Sequence, residues 1–308
     1  MKNENLVVLL AAYNGEHYIR QQIQTILKQA YKPSKILISV DQSTDKTLSI
    51  IKDYAKEYSE IEIISSGKRF GSSAANFINL LISVDLTDVN YICLADQDDL
   101  WNEDKLQKAI QKLQKGYDGY SSNVEAFWED GRKKVLFKNQ PQQMYDHLFE
   151  SAGPGCTFVY TKKLALALQD FLKKNHHELS QMRQYHDWLI YAFARQNQFK
   201  WFIDEYVGMK YRQHSLNDFG AHVGFRAFLL RADRVIQGEG FDQVIRLIKF
   251  LNLQNHYFVK KWYPLSRFGF IRLALFAPQC RRRLREQIYF FFSCILLAII
   301  FPKKLHSI

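Results

Sequence analysis

The chain has 308 residues, 47% of them hydrophobic and 24% charged, with a formal net charge of +11. That balance excludes a disordered chain and is enough for one large or two modest globular domains. The charge favours anionic partners, namely nucleotide phosphates, nucleic acid or acidic lipid, without choosing among them.

The four cysteines, Cys93, Cys156, Cys280 and Cys294, are scattered and show no metal-type pairing, so they read as reduced thiols of a cytosolic protein. Lys2 to Asn5 lead straight into an apolar run and then polar turn residues, which is not the pattern of a secretory signal.

Leu6 to Ala12 is a continuous apolar run, typical of a strand covered on both faces of a parallel sheet. Tyr13-Asn14-Gly15 is a turn, and Ile19, Ile23, Ile26 and Leu27 then fall at helical spacing. Lys35 to Val40 is a second strand. Asp41-Gln42-Ser43-Thr44-Asp45 follows as a capping sequence for a helix that carries Leu48, Ile51 and Tyr54. A third strand over 61–65, a third helix over 74–84 and a fourth strand over 91–95 continue the alternation. The pattern predicts a parallel sheet covered by helices, in which ligands bind at the carboxyl ends of the strands.

The fourth strand runs into Asp96-Gln97-Asp98-Asp99, three carboxylates in four positions, and then Leu100-Trp101. Such acids repel one another unless a cation or an upward-shifted pKa compensates. Hard divalent ions take carboxylate ligands of this kind and bring phosphate oxygens with them. The alternative is a solvated acidic turn capping a helix that starts near Asn102.

After the helix over 104–113 the rhythm changes. Residues 119–127 and 132–137 read as irregular strands, and Gly153-Pro154-Gly155-Cys156 as a tight turn before a strand over 157–161. A helix over 164–172 follows. His186-Asp187-Trp188-Leu189 opens another helix reaching about residue 195, and a strand over 200–207 leads to Tyr211-Arg212-Gln213-His214.

Beyond residue 221 the chain becomes helical, aromatic and basic. Arg281-Arg282-Arg283-Leu284-Arg285 precedes an apolar run over 288–301, which Pro302-Lys303-Lys304 closes. The run is shorter than the ~20 residues a simple spanning helix needs. It reads as an interfacial helix drawn to an anionic membrane surface, with a buried terminal helix or a homodimer contact as the alternatives.

Four segments stand in order: Ala12-Tyr13-Asn14-Gly15, Asp41-Gln42-Ser43-Thr44-Asp45, Asp96-Gln97-Asp98-Asp99-Leu100-Trp101 and His186-Asp187-Trp188. Together they resemble the family 2 glycosyltransferases over roughly residues 6–220. Tyr211-Arg212-Gln213-His214 with Asn217 sharpens the resemblance toward bacterial rhamnosyltransferases of cell-wall and capsular polysaccharide synthesis. The resemblance implies an α/β fold of GT-A type, a Rossmann-like, mixed, mainly parallel sheet covered by helices. The catalytic domain would be residues 1–220, followed by a helical C-terminal extension over 221–308.

The resemblance also implies roles. Asp187 would be the base of an inverting transfer, removing the acceptor hydroxyl proton. Ala12, Tyr13, Asn14, Asp41, Asp96, Gln97 and Arg212 would bind the nucleotide sugar. Within that set Tyr13 would lie against the pyrimidine, Asp41 would accept the base N–H, and Asp96 would lie near the ribose. Asp98 and His214 would hold Mg²⁺ or Mn²⁺, with Asp99 in support and the metal stabilising the leaving diphosphate. Gly155, Cys156, His186 and Trp188 would lie on the acceptor side, Gly155 letting the backbone approach the acceptor sugar. As residues alone, Tyr13 equally suits a core position, Asp41 and Asp187 helix caps, and Arg212 and His214 a solvated loop.

The implied donor is dTDP-L-rhamnose and the implied acceptor a lipid-linked saccharide, at the cytoplasmic face of a bacterial membrane. The alternatives are UDP-glucose, UDP-galactose or a UDP-N-acetylhexosamine on the same fold, or a binding subunit without catalysis. Nucleic acid is not expected, because no recognition motif accompanies the charge. One departure stands out: Val40 and Gln42 flank Asp41 where the family usually carries a second acid and a glycine.

Overall fold

The computed structural model describes residues 4–182, 186–214 and 239–301. Asn217 and Pro302-Lys303-Lys304, singled out above, lie outside the described residues. The chain forms two compact units. The first is drawn from Met1–Asn139 and Ala152–Gly220, the second from Gln140–Ser151 and Ala221–Ile308.

The first unit is built on alternation. Strands β1 (Leu6–Ala12), β2 (Lys35–Val40), β3 (Ile61–Ser66) and β4 (Tyr91–Asp96) pair in parallel in the order β3-β2-β1-β4. Helices α1 (Ile19–Leu27), α2 (Thr47–Glu57) and α3 (Ser73–Ser83) connect them. All seven residues of β1 are buried, as its unbroken apolar sequence requires of a strand covered on both faces. The helices bury the residues that recur every three or four positions, Ile19, Ile23 and Ile26 on α1 and Ile50, Ile51 and Tyr54 on α2.

Past β4 the sheet turns mixed. β5 (Leu100–Trp101), α4 (Lys105–Leu113), β6 (Gly119–Trp128), β7 (Lys133–Leu136), β8 (Val159–Thr161), α5 (Lys162–Lys174), α6 (His186–Gln196) and β9 (Trp201–Gln213) complete the unit. The order across the sheet is β3-β2-β1-β4-β8-β6-β9-β5, with β7 on β6. β8 pairs antiparallel with β4 and β6, whereas β9 runs parallel to β6 and antiparallel to β5.

Two expectations need correction here. Leu100-Trp101 is a short strand, because β9 supplies its ladder, and α4 begins only at Lys105. The last strand does not stop near residue 207 but continues to Gln213, so Tyr211, Arg212 and Gln213 belong to the sheet. The β6–β9 register slips on the way. Partners run from Ser122↔Asp204 through Asn123↔Val207 to Glu125↔Lys210, so six steps of β9 pass against three of β6.

The second unit holds α7 (Glu239–Phe250), α8 (Arg267–Leu275), α9 (Ala277–Cys280) and α10 (Leu284–Ile300). Its core is aromatic. Tyr145 stacks on Phe258 at 3.6 Å between ring centroids, and Phe149 meets Trp262 and Phe290. A buried ion cluster joins the two chain segments: Arg282 reaches Asp146 at 3.4 Å and Glu150 at 3.1 Å and donates to the Ser151 carbonyl at 2.6 Å. α8 and α10 pack antiparallel, with the Arg267 guanidinium donating to the Ala298 and Ile299 carbonyls at the end of α10. No described helix is long and apolar enough to cross a membrane. All four cysteines are free and buried.

Candidate functional site

The carboxyl ends of β2, β1 and β4 lie side by side, and each ends in a polar residue singled out in the sequence. β1 delivers Tyr13, whose side chain is 54% exposed and therefore is not a core tyrosine. Its backbone is clasped by Gln97 beyond β4. The Tyr13 N–H donates to Gln97 Oε1 and Gln97 Nε2 donates back to the Tyr13 carbonyl, both at 2.7 Å. A Cβ on Gly15 would run into that same Gln97 amide, so the turn needs glycine there. Asn14 takes a positive φ of 43° and ties the first loop to the second, donating its N–H to Ser43 Oγ and accepting the Thr44 N–H on Oδ1. The Ala12 carbonyl accepts the Asp41 N–H at 2.8 Å, fixing the spacing of the two strand ends.

Asp41 is not the cap of α2. That helix begins after Lys46, and the carboxylate serving its start is Asp45, which accepts the Thr47 N–H and hydroxyl and the Glu16 N–H. Burial alone would raise the Asp45 carboxyl, but those hydrogen bonds hold it below the ordinary aspartate range. Asp41, nearly buried, instead accepts the N–H groups of Gln42, Phe70 and Gly71 at 2.7–3.1 Å. It therefore holds the β3–α3 loop against the end of β2. A carboxylate accepts about four hydrogen bonds, so capacity for one more donor remains.

The acids after β4 divide by environment. Asp99 is wholly buried, and burial, with the charges of Asp98 and Asp96 beside it, pushes its carboxyl well above the usual range. Burial likewise pushes the Cys156 thiol up. Asp98 is also largely buried, with Oδ2 2.8 Å from His214 Nε2.

Among the described residues, two sets of side chains could hold a cation. Asp96, Asp99 and Cys156 bring their ligand atoms within 4.8 Å of one another. Asp99 and Cys156 are wholly buried and a thiol is a soft donor, so that set suits a hard ion less well. The Asp98–His214 pair fits better. Neighbouring ligands of an octahedral ion with bonds of about 2.1 Å lie about 3 Å apart, close to the separation seen.

Arg212, the penultimate residue of β9, fastens this cluster. Its N–H donates to Asp99 Oδ1 at 3.2 Å, its Nε to the Asp98 carbonyl at 2.9 Å, and one terminal nitrogen to Gln21 Oε1 at 2.8 Å. The guanidinium is sandwiched between the rings of Tyr18 and Phe127, at 4.6 and 4.7 Å from their centroids. Tyr18 also stacks on His214 at 5.0 Å and donates its hydroxyl to Glu129. Arg212 and His214 are two residues apart at the end of a strand, so they share a face. They are not parts of a solvated loop.

Tyr18, Gln21, Phe127 and Glu129 belong to no sequence motif yet line the site. Tyr18 and Gln21 lie in and just after the turn flagged by Asn14-Gly15, but nothing local marks any of the four, because the partners that draw them into the site are 85 or more residues away.

The remaining site residues meet at one 3-10 turn, Gly155–Thr157. A Cβ on Gly155 would lie 2.5 Å from His186 Nε2 and 3.3 Å from Asp187 Cβ. The close approach that this glycine permits in the structure is therefore to the start of α6. His186 stacks on Phe77 of α3 at 4.4 Å between centroids, and the Trp188 N–H donates to Asp187 Oδ1 at 2.7 Å. The next residue of the turn, Cys156, packs beside Asp99 and Asp96. One turn thus touches the acidic strand end with one residue and the Asp187 helix with its neighbour.

Comparison with known proteins identifies the family. The profile of Glycosyl transferase family 2 matches residues 7–174. The chain belongs to that family. It is a glycosyltransferase, 37% identical over 289 residues to the dTDP-rhamnosyl transferase RfbG of Shigella flexneri, a match covering 93% of this chain and 99% of that protein. Among solved structures, S. aureus TarS 1-349 in complex with UDP-GlcNAc superposes with a TM-score of 0.54 at 15% identity, covering 96% of this chain and 90% of that one. The mannosyltransferase PcManGT from Pyrobaculum calidifontis, in complex with GDP-Man and Mn²⁺, reaches a TM-score of 0.50 at 15% identity over 98% and 82% of the two chains. These likenesses establish the GT-A-like fold of this family 2 member: a curled, mixed sheet with helices and a helical C-terminal region.

Proposed function

We propose that this family 2 glycosyltransferase moves L-rhamnose from dTDP-L-rhamnose to a lipid-linked saccharide, with inversion and with a divalent cation, at the cytoplasmic face of a bacterial membrane. The observation that carries the donor is the 37% identity to a dTDP-rhamnosyl transferase along nearly the whole of both chains. Tyr13, exposed beside the spare capacity of Asp41, suits a pyrimidine: the ring for stacking, the carboxylate for the base N–H. Asp98 and His214 would hold Mg²⁺ or Mn²⁺, which when bound stabilises the charge growing on the leaving diphosphate. Arg212 positions this pair by holding the Asp98 carbonyl while adding positive charge nearby.

Asp187 is the base of this reading. One oxygen accepts the Trp188 N–H, which fixes the carboxylate and leaves the other oxygen to take the proton of the attacking hydroxyl. His186, stacked on Phe77 and pressed on Gly155, sets where α6 begins and so where that oxygen points.

Replacing Asp187 with Asn should cut transfer by roughly 10²–10⁴-fold while leaving dTDP binding within a factor of about two. Near-normal turnover would remove Asp187 from the base role. Offering the purified enzyme dTDP-rhamnose beside UDP-glucose, UDP-galactose and UDP-N-acetylhexosamines tests the donor. A faster reaction with any UDP-sugar would overturn the rhamnose assignment, and nuclear magnetic resonance of the product reports linkage and anomeric outcome.

A further inference from the structure

Helices α8 and α10 are apolar on both sides. Their inward rows, Phe270, Leu273 and Ala274 on α8 and Phe290, Cys294, Leu297 and Ala298 on α10, are buried in the second unit. Their outward rows are just as apolar. Phe268, Ile271 and Leu275 recur at positions three and four apart, as do Ile288 and Phe292, with Ile299 two turns further on the same side. Phe268 is 75% exposed and Phe292 63%, far beyond what isolated surface aromatics require. Between Ile288 and Ile300 the only polar side chains are Tyr289 and Ser293. A helix that is apolar all round is normally covered on every side.

The charge around these rows is one-sided. Residues 239–301 hold ten Lys and Arg against three Asp and Glu. Arg272 lies within the exposed row of α8, and Arg285 is exposed at the start of α10 with its Nε donating to the half-exposed Tyr289 hydroxyl. Arginine and tyrosine of this kind lay their apolar stems on hydrocarbon and keep the polar tips in the headgroup layer. A second copy of the chain would set the same positive excess against itself, whereas anionic lipid neutralises it. With 17 residues, α10 is about 25 Å long, short of the ~30 Å hydrocarbon layer, which suits a helix lying in the interface.

We propose that the outward rows of α8 and α10 together form a docking face for an anionic phospholipid bilayer, the two helices lying side by side in the headgroup boundary. This deepens the membrane-surface part of the proposed function and rests on it only in expecting a bilayer. Vesicle binding requires neither acceptor nor sugar, so either reading can fail without the other.

The full chain is mixed with vesicles of phosphatidylcholine alone or with added phosphatidylglycerol, and floated through a density gradient. It should float with the anionic vesicles, stay behind with the neutral ones, and be released as salt is raised. Phe268→Glu with Phe292→Glu should lower the partition coefficient about tenfold or more, with dTDP binding by calorimetry unchanged. Arg272→Gln with Arg285→Gln, which spares the apolar rows, should weaken the preference for anionic vesicles several-fold. Flotation of the Phe double variant at the level of the unaltered chain overturns the proposal. So does a sedimenting dimer that the Phe variant breaks while the unaltered chain ignores both vesicles, since the face would then be a self-contact.

Discussion

An alanine at position 155 would bring a methyl group within 2.5 Å of His186 Nε2, and neither neighbour gives way easily, because His186 is stacked on Phe77 behind it. Gly155→Ala should therefore displace the start of α6 and lower transfer at least tenfold, at a cost in stability of about 1–3 kcal/mol. Equilibrium dTDP binding should persist, since the strand ends around Tyr13 and Asp41 are untouched. Loss of nucleotide binding along with turnover would show that the turn supports the whole unit and not Asp187 in particular. Short motifs single out most of the candidate residues, but not their partners. Asp41 stands out in its motif, yet its hold on Phe70 and Gly71 depends on a loop about 30 residues later. Gly155 was legible as a close-approach glycine, but what approaches it, the His186 ring, is fixed by α6 docking on α3.

At the scale of elements, strands of unbroken apolar sequence declared themselves. β1 and β2 fall on the expected residues, and β3 and β4 extend them by one. β5 had no such signal, being two residues made into a strand by pairing with β9 over 100 positions away. The true length of β9 was hidden for a similar reason. Arg212 and Gln213 have no strand pattern of their own and are held by Phe127 and Trp128 of β6. The irregular register between β6 and β9 matters for the site, because side chains alternate faces along a strand and a net offset of three reverses their phase. Deleting Glu205, the exposed residue inside the slipped stretch, should bring Tyr211 and Gln213 to the face now held by Arg212 and His214. The expected result is a folded protein, by circular dichroism and melting, with transfer reduced by roughly 10²-fold or more. Retained activity would mean that β9 absorbs the deletion elsewhere along its ladder.

Taken as a whole, the molecule carries two cores, and they should respond to different perturbations. Arg282 is buried with Asp146 and Glu150, so Arg282→Ala leaves two buried carboxyls without their cation, a loss of about 3–5 kcal/mol in a site of this kind. Calorimetric melting of the variant should show an early transition that dTDP does not shift, followed by a later one that dTDP raises. A single transition still raised by nucleotide would place the two cores in one cooperative block. The route of the chain adds a consequence for how this protein can be taken apart. Residues 140–151 leave the first unit and return to it, yet their buried side chains Tyr145, Leu148 and Phe149 belong to the second. The helical part is therefore not a detachable tail. Cutting the chain after residue 220 would strand a twelve-residue excursion with three bare apolar side chains and two orphaned carboxyls, so a soluble minimal enzyme requires shortening that excursion as well. For the same reason, exchanging the C-terminal part between relatives succeeds only when residues 140–151 travel with it, as a lock travels with its key.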